Sequence, residues 1–136
     1  MSGQAERELH IGVRGKAACA VCAQNTASAM GSGDLPVFAT PALAACMERA
    51  AADSVRNLLP AGRTTVGVRL SLAHTAATPV GMEVRCESEL VAMDGRLLTF
   101  SIVGYDDAGE IGRAEHVRAI VDAERFLAKT EGKRDL

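Results

Sequence analysis

The hydrophobic period of this chain changes once, and that change limits the possible folds more than any other feature. From Pro41 to about Leu59 the residues read as one helix. Alanine is abundant, no β-branched run interrupts it, and Pro60 and Gly62 supply the stop. Thr40-Pro41 supplies the start, because Thr favours the N-cap and proline suits the first helical position, where an N–H would be unpaired anyway. Beyond Gly62 the period becomes two. TTVGVRLSLAHTA puts Val66, Val68, Leu70, Leu72 and His74 on one face. GMEVRCESELVAM puts Met82, Val84, Cys86 and Leu90 on one face, with Glu83, Arg85, Glu87 and Glu89 on the other. LLTFSIVGYDD and EIGRAEHVRAIVD read as two more strands, and the turns in MDGR and DDAGE predict a meander. Upstream, HIGVRGKAACAVCA reads as a strand, and QNTASAMGSGDLP as a loop with room for a short helical turn. The polar tail reads as helical from Glu124 to Lys129.

One strand, one long helix and four more strands make an α+β protein. The helix carries the only long apolar stripe, so the sheet must cover it. A long central helix wrapped by a curved five-stranded antiparallel sheet is the hotdog fold. No repeat and no long linker divides the chain, so residues 1–136 are expected to form a single domain, large enough for a real core.

Composition narrows the function. A formal net charge of -2 gives no basic surface for nucleic acid or an anionic membrane. With no Trp, one Tyr and three Phe, there is little to stack single-stranded bases on. The longest apolar run, Ala17 to Ala23, falls far short of the ~20 residues that span a membrane. The opening MSGQAERELH mixes charges of both signs without an apolar stretch, so no secretory signal is expected and the cytoplasm is the expected location. Cys19 and Cys22 form a C-x-x-C, but on a strand positions three apart point to opposite faces, and no second Cys/His pair follows at zinc-finger spacing. All four cysteines are expected to be reduced, mostly buried small apolar residues, and no metal site is expected.

Three polar residues stand where apolar ones belong. Projected at about 100° per residue, Leu43, Ala44, Met47, Ala51, Val55 and Leu58 share one arc of the helix. Glu48 lies inside that arc, beside Ala44, Ala52 and Val55. A carboxylate there loses hydration, which is costly unless it is paired, and such sites favour acid/base chemistry. The plainer alternative is a structural carboxylate at the edge of the face, or one paired with an Arg from the sheet. His74 ends the inward face of its strand, where an imidazole can act as a base or a hydrogen-bond donor, or simply satisfy a backbone carbonyl. Thr40 is ordinarily an N-cap and nothing more. Yet a helix N-terminus offers free N–H groups and a positive dipole end, where a developing oxyanion is stabilised.

These residues carry a family resemblance. VFATPALAACMERAA at the helix start, TVGVRLSLAHTAATPVGMEV in the next two strands and EIGRAEHVRAIVDAERFLAK at the end are similar to the fluoroacetyl-CoA thioesterase type of hotdog protein. The similarity runs from Leu35 onward and is weak before Gly33. Its specific marks are the H-T-A-A-T-P-x-G run and the spacing from Thr40 to Glu48 to His74. The resemblance implies hydrolysis of a small acyl-CoA thioester with Thr40, Glu48 and His74 as catalytic residues. It implies that Gly67, Arg118 and Phe38 bind substrate, and that coenzyme A enters only as part of that substrate. It also implies a homodimer whose active sites lie at the subunit interface.

One segment departs from the family. Where those enzymes carry a bulky aromatic lid before the helix, this chain reads SGDLPVFAT, with Asp34 at the position of the lid phenylalanine. Loose discrimination among short acyl groups is the expectation. Two rivals are a non-catalytic acyl-CoA-binding protein and an acyl-CoA hydratase. The hydratase is disfavoured because the loop from Gln24 to Thr40 contains no His.

Overall fold

A computed structural model describes residues 8–136. The reading of the opening segment as free of a secretory signal falls largely on residues outside that range. The chain begins with strand β1, Arg14–Ala20. A single helical turn, α1, Ala27–Met30, is capped by the Thr26 hydroxyl and closed by Gly31 in the left-handed conformation. The long helix α2, Thr40–Arg56, follows. Four strands come next: β2, Arg63–His74; β3, Glu83–Asp94; β4, Leu97–Asp106; and β5, Gly109–Asp122. The tail forms helix α3, Ala123–Glu131. The sheet order is β1-β3-β4-β5-β2, with every pair antiparallel, so the predicted meander is present and β1 and β2 are the edges.

The sheet wraps α2. Leu43, Met47, Ala50, Ala51 and Val55 on the helix are fully buried against Val84, Cys86 and Leu90 of β3 and Leu98, Phe100 and Ile102 of β4. A core this poor in aromatics is filled by bringing the helix close. A Cβ at Gly104 or at Gly112 would stand 3.2 Å from a methyl of Leu43, so bare backbone at both positions admits the leucine. Gly15 of β1 likewise leaves room for the Ala50 carbonyl and Ser54. All four cysteines are free thiols, Cys46 and Cys86 buried and Cys19 and Cys22 half-buried.

Two sequence expectations change. Thr40 is not the N-cap. Ala39 takes that position with no side-chain hydrogen bond, and α2 ends at Arg56, a turn before Leu59. In β2 the face Val66-Val68-Leu70-Leu72-His74 does not hold throughout, because a bulge between Gly67 and Arg69 shifts the register. One extra residue reverses the phase of everything after it. Leu70, Leu72 and His74 therefore face the helix together with Gly67, while Val68 is 58% exposed.

Candidate active site

The start of α2 meets the end of β2. The Thr40 hydroxyl, freed from capping, lies 2.8 Å from His74 Nδ1. Pro41 has no N–H, and the Ala39 N–H donates to the Asn25 carbonyl. That leaves Thr40 and Ala42 as the residues of the first turn whose amides the helix cannot pair. His74 Nε2 is buried with no hydrogen-bond partner among the described residues. Burial holds the imidazole below the ordinary histidine pKa, against a smaller opposing effect of the Ala76 backbone, so the ring is biased toward the neutral form. A cavity of about 260 Å³ opens beside this pair, lined by Ala27, Ser32, Phe38, Thr40, His74 and Ala76 among others.

The run after His74 is held by a buried pair. The Thr78 hydroxyl, fully buried, donates to Asp106 Oδ2 at 2.7 Å, and Asp106 Oδ1 accepts from the backbone N–H groups of Ala108 and Gly109. The Thr78 carbonyl in turn accepts from the Phe38 N–H at 2.9 Å. The T-P of the H-T-A-A-T-P run thus ties the cavity's wall to the β4–β5 turn on one side and to the segment before α2 on the other. Phe38 is buried within the core cluster and also lines the cavity.

Glu48 stands elsewhere. Eight residues along α2 place it about 12 Å from Thr40 along the helix axis, and within the chain it makes no bond to Thr40 or His74. Its carboxylate is not stripped of water, since the side chain is 44% exposed. It faces the inner side of β5 and β2, with Oε2 3.6 Å from Arg118 Nη1 and 3.8 Å from His116 Nε2. A Cβ on Gly67 would stand 2.8 Å from the same oxygen. The Arg118 side chain, nine-tenths buried, donates from Nε to the Thr65 hydroxyl at 2.8 Å and from Nη2 to the Thr65 carbonyl at 3.0 Å. The six residues singled out in the sequence therefore form two groups: Thr40, His74 and Phe38 at the cavity, and Glu48, Gly67 and Arg118 farther down the helix.

Sequence reasoning missed His116 and the Thr78–Asp106 pair. His116 was detectable, because Ala114, His116 and Arg118 follow the inward phase of β5 and place two polar residues beneath the helix. Asp34 is exposed and does not line the cavity, where Ala27, Ser32, Val37 and Phe38 of the same segment stand.

A curled antiparallel sheet closed around one helix, with a polar pair at the helix N-terminus facing a small cavity, defines a hotdog-fold protein. Residues 21–124 match the family described as FlK, fluoroacetyl-CoA-specific thioesterase. A curated fluoroacetyl-CoA thioesterase from Streptantibioticus cattleyicolor is 36% identical over 97 residues, which is 71% of this chain and 70% of that protein. The chain belongs to this family. A solved structure of the fluoroacetyl-CoA thioesterase FlK superposes with a TM-score of 0.85 at 30% identity, covering 92% of this chain and 97% of the other. A thioesterase superfamily member from Thermus thermophilus shares the fold at 21% identity, with a TM-score of 0.87 over 95% of this chain and 96% of its own.

Proposed function

We propose that this protein hydrolyses short acyl-CoA thioesters to the free acid and coenzyme A. The observation that carries the reading is the Thr40–His74 hydrogen bond at an uncapped helix N-terminus on the rim of a small cavity. Backbone N–H groups of the first turn, with the Thr40 hydroxyl, are placed to stabilise the oxyanion of a thioester carbonyl bound there. Glu48 removes a proton from the attacking water or attacks the carbonyl itself. When the neutral His74 carries its proton on Nδ1, that N–H donates to the Thr40 oxygen and leaves the single Thr40 O–H free to donate to the oxyanion. Phe38, Gly67 and Arg118 are assigned to substrate binding.

The separation of Glu48 from Thr40 and His74 within one chain favours a homodimer with the sites at the interface. Among the described residues β2 bonds only to β5, leaving twelve residues of strand edge open beside a half-exposed Glu48 and an exposed Val68. Proteins rarely leave such an edge uncovered, and two copies of it pair across a two-fold axis. The location that goes with this chemistry is the cytoplasm, where acyl-CoA is made and used. No helix among the described residues is long and apolar enough to cross a membrane.

A panel of acetyl-, fluoroacetyl-, propionyl- and butyryl-CoA with a thiol-reactive dye tests the activity. Thiol release above the uncatalysed rate is expected from several of them. Release from none would reject the hydrolase and leave a binding protein.

A further inference from the structure

We propose that His116 is a positioning residue. As a neutral imidazole with its proton on Nδ1, it holds the Arg118 guanidinium in place against Glu48. The proposal rests on Glu48 serving the thioester cleavage proposed above.

The ring's neighbours fix its state. His116 is 1% exposed on the inner face of β5, its ring 6.3 Å from that of Phe100. Nδ1 lies 2.8 Å from the Arg69 carbonyl, which can only accept, so Nδ1 must carry a proton. Nε2 lies 3.1 Å from Arg118 Nη1, which can only donate, so Nε2 must be bare. A second proton on the ring would lose the bond to Arg118 and set two cations against each other. The charged groups facing the ring are Glu48 from α2 and Arg118 from its own strand. The Arg69 guanidinium is exposed and paired with Glu115. Burial, with a contribution from Arg118, pushes the imidazole pKa below the usual histidine range, outweighing the Arg69 carbonyl and Glu48.

The guanidinium is then held on three sides. Thr65 takes Nε and Nη2, and His116 takes one donor of Nη1. Glu48 Oε2 lies 3.6 Å from the same Nη1, at ion-pair distance. Without His116, the Nη1 end has no acceptor among these residues other than the carboxylate, and Glu48 is pulled from its place beside Gly67. Arg69, whose carbonyl anchors Nδ1, follows the bulge that brings Gly67 to Glu48. His116 thus links the bulge to the ion pair. Its ring is buried and both nitrogens are occupied, so it acts through Arg118 and not on the substrate.

Three substitutions separate this role from simple support of the bulge. The amide of His116→Gln reaches the Nε2 position and can accept from Arg118. The amide of His116→Asn reaches only the Nδ1 position and can donate to the Arg69 carbonyl. His116→Phe keeps the ring and neither bond. His116→Asn and His116→Phe are expected to lower kcat by tenfold to a hundredfold, on the order of the loss from misplacing a reacting group. His116→Gln should restore most of that loss. Equal loss in all three, or a surviving Asn variant beside a failing Gln variant, overturns the proposal. Independently of activity and of how the variants fold, the ring nitrogens of the wild-type protein can be read by 15N NMR. A neutral His116 with its proton on Nδ1 at pH 7 is expected, and a charged ring or a proton on Nε2 overturns the assignment. If the wild-type protein releases no thiol, the proposed function fails and the NMR result still decides the state of His116.

Discussion

Gly67 and Glu48 touch in a way that only glycine permits: a Cβ at position 67 would lie 2.8 Å from Glu48 Oε2. Gly67 does not occupy the left-handed region, so its backbone accepts alanine without strain. The atom in conflict is the end of a flexible side chain, which can swing aside at little cost. Gly67→Ala is therefore expected to fold with nearly unchanged stability but to displace the carboxylate from Arg118 and His116. Activity should fall by at least about tenfold, since small misplacements of a reacting group are costly. Thermal melting and kcat measured on the same preparation check this. A variant as active as the wild type would mean that the position of Glu48 against β2 does not matter.

Thr40 offers a second separation of stability from activity. Its hydroxyl bonds His74 and caps nothing, since Ala39 is the N-cap. Removing an N-cap hydroxyl typically costs about 1 kcal/mol, and that loss should be missing from Thr40→Ala. Activity should nonetheless drop by about a hundredfold, the scale for losing one oxyanion donor. Thr40→Ser keeps the hydroxyl and should stay within a few-fold of wild type. If Thr40→Ala melts early and loses activity only in proportion, Thr40 is structural.

Much of the fold could be read from periodicity, because alternation and helix-end residues are local signals. The strand order of the meander, the turns at Gly95 and Gly109 and the tail helix all follow from neighbouring residues. What could not be read depends on distant partners. Thr40 and Pro41 look like a cap and its first residue. The Thr40 hydroxyl instead bonds His74, 34 residues away, and the helix starts one residue earlier. The bulge in β2 carries no mark except Gly67, and a strict alternation places Val68 on the wrong face. Asp106 reads as a turn residue until Thr78, 28 residues upstream, appears as its partner. The helical wheel found Glu48 but not what it meets. The sheet arginine considered as its plainer partner is Arg118, and the pair stands beside His116.

Acid should loosen the wall of the cavity through Asp106. The Thr78 hydroxyl, aided by the Ala108 and Gly109 N–H groups, holds this carboxyl below its ordinary range. A carboxylate depressed on folding contributes stability that is fully present above its unfolded value of about 3.9 and is lost as pH falls through the folded value. Asp106→Ala removes that dependence and leaves the Thr78 donor buried and unpaired, at a cost of about 1–3 kcal/mol. Denaturant midpoints followed from pH 7 into the acid range should show the wild-type advantage over Asp106→Ala shrinking below about pH 4. An advantage that persists unchanged to low pH would remove Asp106 from this role.

The last prediction concerns the acyl group. The residues that line the cavity from the segment before α2 are Ala27, Ser32, Val37 and Phe38, and Asp34 stays exposed in solvent. Phe38 is the one ring among them, and it is buried in the core as part of the cavity wall, so shape must do the sorting with a fixed wall and otherwise small side chains. A methylene fitted or excluded by a tight apolar pocket is worth about 1–3 kcal/mol, and an open one gives less. Acetyl-, fluoroacetyl- and propionyl-CoA should therefore differ in kcat/KM by no more than about a hundredfold, with no exclusive preference for the fluorinated substrate. Ala27→Phe places a ring at the cavity mouth and should reduce the rate on propionyl-CoA more than on acetyl-CoA. Steady-state kinetics of both proteins on all three substrates decide the matter. A wild-type preference of several orders of magnitude for fluoroacetyl-CoA would show that selectivity arises at the reacting carbon, from the groups around Glu48 and Arg118, and not from the lid.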